Sequence, residues 1–300
     1  MALRTTAHDL YRGSNSMALP TDLSSEIWAN TVKGSAVMQL AERITLPGRG
    51  LSIPVVATDA TASFIGESTE KPVSNPTPSL KIMKPYKVAC IELFSEELIR
   101  DLPALYDELV RRAPDAIARA FDATVFHGTA PGTGFDVLTA ATAVSIKDGA
   151  NQTTYGKLVT AMETIGAANG TMNGIALSAQ GKAVVLGSTD TTGRPVFVPT
   201  AESGEIGRIL GARVVDAQQT YVAGTSPNPN VIGIAGDWTQ ARYGIVDGIN
   251  ISVSRDATVN DGTNLVHLWQ SNMVGVRIEA EVGFVVRTPG CFLRLTDATS

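Results

Sequence analysis

Three histidines, His8, His127 and His267, and two cysteines, Cys90 and Cys291, are the whole supply of imidazole and thiol in this 300-residue chain. No GxSxG elbow, HExxH pair, CxxC pair or EF-hand loop occurs, so catalytic triads and zinc sites have almost no material. The segment PGTGFD, Pro131 to Asp136, holds a GxG but lacks the third glycine of a dinucleotide fingerprint. It also follows a helical pattern instead of opening one. GIALSAQGKA, Gly174 to Ala183, ends in Gly-Lys, yet Ala183 stands where a P-loop places the Ser or Thr that holds magnesium. Glu279 and Glu281 are carboxylates at alternate positions of a strand pattern, which is the spacing of a solvated or salt-bridged ladder more than of an acid/base pair. Both cysteines read as small core residues. A conventional small-molecule enzyme, a bound cofactor and a metal centre are therefore not expected.

Charged residues make up 18% of the chain, below the roughly 25% of an average soluble protein. A surface with so little charge is either rich in neutral polar groups or covered by other subunits, and oligomerisation is the first expectation. The net charge is −5, and Arg111 and Arg112 form the single adjacent basic pair. No Lys/Arg stripe is present to track a phosphate backbone, so sequence-specific nucleic-acid binding is not expected. The start, MALRTTAHDLYRGSNSM, has no apolar signal-peptide core, and the uncharged stretch from Ala217 to Gly236 is broken by Pro, Asn and Gly. Neither secretion by a signal peptide nor a membrane span is expected.

The patterns that must position any function fall in a definite order. Residues 1–18 are polar and Gly/Ser-containing, a terminal arm without a core of its own. Gly50 to Gly66 and Leu80 to Leu93 read as strands, joined by the Pro-studded Ser68 to Ser79, in which Val73 is the one sizeable apolar residue. Pro54 and Pro85 within those arms remove ladder donors and predict edge strands. A long hairpin-like loop of this kind cannot bury itself and is expected to pack on a neighbour. Ser95 to Phe126 carries Leu98, Leu102, Leu105, Leu109, Ala113, Ala116 and Ala120 at helical spacing, with Ser95 as N-cap and with Pro103 and Pro114 expected to kink or interrupt the helix. After the Gly/Pro boundary of His127 to Asp136 a mixed α/β region is predicted. Its helices are Thr153 to Ala168 and Ser178 to Leu186, and its strands are Gly174 to Leu177, Ile209 to Val215 and Val231 to Ala235. Tyr243 to Ser254 alternates in part. Val274 to Val286 alternates throughout, with Arg277, Glu279 and Glu281 opposite the apolar face, the pattern of a half-buried strand.

In this order of elements, and in six local sequences, the chain resembles the tailed-phage major capsid protein family with its Hong Kong 97-type capsid fold. The matching stretches are LPTDLSSEIW (Leu19 to Trp28), IGESTEKPVS (Ile65 to Ser74), FSEELIRD (Phe94 to Asp101), AIARAFDATVFHG (Ala116 to Gly128), GDWTQARYGIVDGINISVS (Gly236 to Ser254) and QSNMVGVRIEAEVGFVVRTPGCFLRL (Gln270 to Leu295). The resemblance implies an α+β chain divided into an N-terminal arm (1–49), an E-loop hairpin (50–93), a P-domain spine helix (94–128), an inserted α/β A-domain (129–242) and P-domain return strands (243–300). It implies a structural protein whose pentamers and hexamers close into an icosahedral shell around phage double-stranded DNA, without sequence-specific binding. Arms and E-loops would lap over adjacent subunits, portal and scaffolding proteins would be partners, and assembly would take place in the bacterial host cytoplasm. Because the first matched motif begins at Leu19, scaffolding is expected from a separate protein or from a removed segment.

Some members of this family join subunits through a Lys–Asn isopeptide bond assisted by a glutamate. The positions here that match that pattern are Lys71, Asn272 and Glu279. In the plainer alternative, Lys71 is a solvated loop-tip residue and Glu279 a ladder partner of Arg277. Two other functions compete with the phage shell: an encapsulin-like bacterial compartment of the same fold, loaded with a cargo enzyme, and a soluble α/β enzyme with its pocket in the Gly-rich region after His127.

Overall fold

The computed structural model describes residues 34–56, 62–66, 70–71, 73, 78–97, 103–149, 153–189, 193–197, 207–225, 228–246, 248–260, 262 and 264–298. The arm expected over residues 1–18, and the loop residues 67–69 and 74–77, lie outside them. The described strands are β1 (Glu42–Thr45), β2 (Leu51–Val56), β3 (Pro78–Met83), β4 (Tyr86–Ser95), β5 (Thr142–Ser145), β6 (Gly174–Leu177), β7 (Arg208–Ile209), β8 (Ala212–Asp216), β9 (Val231–Gly236), β10 (Ala241–Ile245), β11 (Asn250–Ser254), β12 (Thr258–Asn260), β13 (Leu265–His267), β14 (Met273–Val286) and β15 (Phe292–Thr296). The helices used below are α1 (Ala36–Leu40), α2 (Pro103–His127), α3 (Thr154–Ala167) and α4 (Ala179–Leu186). The mixture is the α+β class expected.

The alternating segment becomes β14, the longest strand, and its apolar alternates from Val274 to Val286 are buried while Arg277 stays exposed. One edge of β14 pairs with β4 from Met273↔Ser95 to Val282↔Tyr86. The other edge pairs first with β10, Ala241↔Val286 to Ile245↔Val282, and then with β11, Asn250↔Glu279 to Ser254↔Gly275. The two short strands thus lie end to end along one long one, and β1 adds in parallel outside β10. Against this sheet Phe121 and Val125 of α2 pack with Phe284, Phe135 and Tyr243, the rings of Phe121 and Phe284 meeting edge to face at 6.4 Å.

Helix α2 passes through Pro114 without interruption, where a kink or an interruption was expected. A proline removes one backbone donor, and the turns on either side keep theirs. Pro103 sits at the first helical position, where its missing N–H costs nothing. The helix is about 37 Å long at ~1.5 Å per residue. Ser95 closes β4, a helical turn begins at Glu96, and residues 98–102 lie outside the described set.

The mixed α/β region folds as its patterns predict except at Ile209 to Val215, expected as one strand and divided into the antiparallel β7 and β8 by a turn at Leu210 and Gly211, both at positive φ. Thr153 and Ser178 cap α3 and α4 by accepting the backbone N–H of Gly156 and Gly181. The strands form a six-stranded sheet in the order β5-β15-β9-β6-β8-β7. Leu158, Ala161 and Ile165 of α3 and Val185 of α4 bury themselves against Ile175, Leu177, Ile232, Leu293 and Leu295. The last strand, β15, expected with the return strands beside β14, pairs instead with β9 and β5 in this second sheet. Trp238 ties the two sheets together. Its ring meets Phe292 at 5.3 Å and Phe126 at 6.4 Å, and its indole N–H donates to the Gly174 carbonyl at 3.0 Å.

Leu80 to Leu93, expected as one strand, is divided into β3 and β4 at Lys84 and Pro85. Pro85 has no donor for a ladder, and the Lys84 N–H leaves the strand to bond the Gly134 carbonyl at 2.9 Å. β2 and β3 pair only with each other, Leu51↔Met83 to Val56↔Pro78, so Pro54 sits in a two-stranded ribbon where every strand is an edge.

Candidate assembly surfaces

Most of the described side chains that might have done chemistry are engaged in holding the structure. Lys182 of the Gly-Lys pair bridges Asp216 at 2.5 Å. His267 shares a 2.8 Å hydrogen bond with the Thr258 hydroxyl, and His127 is exposed in the last turn of α2. Glu281 pairs with Lys87 at 3.2 Å. Burial pushes the Cys90 thiol up, helped by the charge of Glu92, and burial pushes Cys291 up as well, so neither is a ready thiolate. Asp136, at the end of PGTGFD, fastens the ribbon instead of facing a pocket. Its carboxylate takes the Lys81 ammonium at 2.7 Å and the Val286 N–H at 2.8 Å.

That fastening defines the root of the β2–β3 ribbon. Lys81 also donates to the Val286 carbonyl at 2.5 Å, and Met83 is buried with Leu46 and Val285. Gly50 turns the chain into β2 with φ +92°, and a Cβ there would lie 2.7 Å from the Met83 carbonyl oxygen, so only glycine fits. Beyond the root the ribbon is uncovered. Leu80 is 70% exposed and Ile82 50%, and farther out Val73 is 86% and Phe64 110% exposed. Monomers seldom leave a row of large apolar side chains in water, and such a row marks a surface meant for a partner. Composition alone pointed to a loop poor in apolar residues. The structure adds that, among its described residues, Phe64, Ile65, Val73, Leu80 and Ile82 are exposed.

A second uncovered patch lies at the start of β14. The β12–β13 hairpin covers Val266, Leu268 and Met273 with its own small core, while Leu265 is 64% and Trp269 76% exposed. Asn272 follows in the left-handed conformation at φ +51°, which Asn tolerates better than most residues, and its carbonyl accepts the Glu96 N–H at 2.9 Å.

The three residues matching the crosslinking pattern are dispersed within one chain. Lys71 is exposed on the ribbon loop, and Asn272 is exposed at the head of β14. Glu279 is 17% exposed and lies 3.6 Å from Arg277. Seven strand positions separate Asn272 from Glu279, roughly 23 Å at ~3.3 Å per residue, so no single copy can bring them together.

One carboxylate escaped the sequence argument. Asp122 lies on the buried side of α2 and accepts the Ser35 hydroxyl at 2.5 Å, the Ala36 N–H at 2.7 Å and the Val37 N–H at 3.3 Å. It thereby caps α1 from a distance and fixes the point where the chain leaves for residues 1–33. Burial pushes its pKa up to about 6, against the pull of those three donors. The available signal was an acidic residue between Phe121 and Val125 on an apolar helix face.

No helix among the described residues is long and apolar enough to cross a membrane. Compared with known proteins, the chain matches the phage capsid family over residues 15–297. It is 32% identical to a "Probable major capsid protein gp17" of Mycobacterium phage L5, over 94% of this chain and 90% of that one. Among solved structures, a chain of Microbacterium phage Oxtober96 superposes with a TM-score of 0.73 at 18% identity, covering 98% of this chain and 96% of the other. A chain described as "Capsid of native GTA particle computed with C5 symmetry" superposes at 0.65 with 14% identity, covering 99% and 96%. The arrangement of long sheet, spine helix, inserted six-stranded sheet and outlying ribbon is thus the Hong Kong 97-type fold, and the chain belongs to the phage capsid family.

Proposed function

We propose that this chain is the major capsid protein of a tailed phage, assembling through its own copies as pentamers and hexamers into an icosahedral shell around double-stranded DNA. The observation that carries this is the ribbon, whose apolar side chains are uncovered in a family of shell-forming proteins. A low charge content suits a surface largely covered by other copies. The shell would be built in the bacterial host cytoplasm, with portal and scaffolding proteins as partners, and would enclose DNA without reading its sequence. The role is structural, not enzymatic. Light scattering and electron microscopy of the purified protein test it: closed particles of megadalton mass are expected, or pentamers and hexamers where a scaffold is required. A strictly monomeric or dimeric species across salt and concentration would overturn it.

If the assembled copies become covalently joined, Lys71, Asn272 and Glu279 from different copies are the groups to do it. The neutral Lys71 amine would attack the Asn272 carboxamide carbon, a new C–N bond would form as the bond to the amide nitrogen breaks, and Glu279 would take the amine proton and pass it to that nitrogen, which leaves as ammonia. The exposure of Lys71 and Asn272 supports this, and the contact between Glu279 and Arg277 supports the purely structural alternative. Particles boiled in SDS decide between them. A ladder of multimers that disappears in Lys71→Met is expected for crosslinking, and monomer alone ends it.

A further inference from the structure

The first turn of α1 hangs on a side chain of the spine helix. Asp122 is 1% exposed and takes the Ser35 hydroxyl and the Val37 N–H on Oδ1 and the Ala36 N–H on Oδ2. The Met38 N–H goes to the Ser35 hydroxyl oxygen at 3.1 Å. The opening N–H groups of the helix are thus spent on one carboxylate and one hydroxyl. With five residues, α1 falls far short of the roughly 12–15 at which a helix begins to hold by itself. It stands on these bonds and on the burial of Ala36, Val37 and Met38. Its other end is fixed independently. Arg213 donates to the carbonyl and the side-chain oxygen of Gln39 at 3.3 Å each, and β1 begins its ladder with β10 at Glu42.

No cation pairs with this carboxylate among the described residues. On α2 itself Asp115, Arg119 and His127 are exposed. α1 and the turn Gln218–Thr220, which also packs on α2, bring no charged side chain. From the sheet, Tyr243 of β10 lies in the same core, with Arg43 opposite it on β1 and exposed. Cys90 and Glu92 of β4 share a strand face with Tyr86 and Val88, which pack on that core, and burial pushes both up. Ionised, Asp122 is a buried charge solvated by three neutral donors alone, which is costly. Neutral, it can donate along the same 2.5 Å line to the Ser35 oxygen while Oδ2 still accepts the Ala36 N–H, so the contact persists without the charge. The carboxyl accordingly titrates at about 6 instead of 3.8.

We propose that α1 is a pH-gated latch on the spine helix, docked firmly while Asp122 is neutral and opening more often once Asp122 is ionised, which frees the point from which residues 1–33 depart. This goes beyond the shell reading and holds for a single copy. The docked carboxyl binds its proton more tightly than the undocked one, so the added hold is complete below 3.8 and is lost as pH rises through about 6. A separation of about two pKa units is a factor of about one hundred in the docking equilibrium. The burial of Ala36, Val37 and Met38 favours the docked form at every pH, and the proton sets how often it opens. Ala41, in extended conformation between α1 and β1, is the hinge, so the β1 ladder stays intact.

Amide exchange of the full-length chain tests it, because the Ala36 and Val37 N–H groups are themselves bonds of the latch. Corrected for the intrinsic pH dependence of exchange, their protection should fall by about 10- to 100-fold between about pH 4.5 and about pH 7.5. Amides of β6 and β9 should keep theirs over the same range. Asp122→Asn should abolish the fall. Protection that stays flat in the wild-type chain, or a fall that persists unchanged in Asp122→Asn, overturns the latch. If Asp122→Asn does not fold, Ser35→Ala decides the matter. The Ser35 hydroxyl bond favours the ionised carboxylate, so its loss should move the midpoint of the fall to higher pH, and an unmoved midpoint overturns the latch as well.

Discussion

The inserted six-stranded sheet and the β2–β3 ribbon are built from similar apolar residues and treat them in opposite ways. In the inserted sheet Ile175, Leu177, Ile232 and Leu295 are closed under α3 and α4, and both helices carry their own side-chain caps. In the ribbon Leu80 and Ile82 face water, and attachment rests on Met83, one ion pair and a glycine turn. The first region satisfies itself, as a domain must. The second is incomplete as a monomer, and the proposed assembly would complete it.

The contrast breaks most visibly at Trp238, whose replacement by Ala should cost about 3–5 kcal/mol in denaturant unfolding, because a buried ring shared by both sheets leaves a cavity. A variant that unfolds at the wild-type midpoint would mean that the two sheets do not share a core. Next in size is a pH effect at Asp122. Its carboxyl binds a proton more tightly folded, at about 6, than unfolded, at 3.8. The folded state therefore holds more protons between those values, and stability should fall by on the order of 2–3 kcal/mol as pH rises from about 4 to about 6. Asp122→Asn should remove that slope, measured as unfolding free energy at stepped pH; an unchanged slope would assign it to other groups.

Gly50→Ala comes third, at about 1–3 kcal/mol, from a strained φ and a collision with the Met83 carbonyl. Its effect should be concentrated in the ribbon, seen as faster amide exchange in β2 and β3 than in β6 or β9. Smallest for the monomer is the pair Leu80→Ser with Ile82→Ser, within about 0.5 kcal/mol because both side chains are already in water. Assembly should nonetheless fail in that variant, and normal particles would show that the ribbon's apolar face is not a contact surface.

Legibility in the sequence followed the range of the interaction. β14 announced itself through a period of two, α2 through its stripe, and α3 and α4 through Thr153 and Ser178, because these signals lie within a few residues of their effects. The pairing of β15 with β9 joins segments far apart in the chain, and no local pattern states which sheet a buried strand will enter. The hydrogen bond from Ser35 to Asp122 spans 87 positions and was invisible for the same reason. Pro114 misled in the other direction, since a local breaker did not end the helix, which continues on both sides of it. Of the assembly surfaces, Val73 and the Pro-studded loop were legible. The patch at Leu265 and Trp269 was not, because it exists only once the β12–β13 hairpin is set against the head of β14.

The double pairing of β14 also has a mechanical meaning. Its hydrogen bonds run across the strand on both edges, to β4 on one and to β10 and β11 on the other. Tension along the strand axis therefore loads these bonds in shear and all together, whereas a pull across a sheet edge would open them one by one. In a closed wall stressed from within, such a strand acts as a tie-rod: each subunit resists stretching along β14 and yields first where its sheet ends.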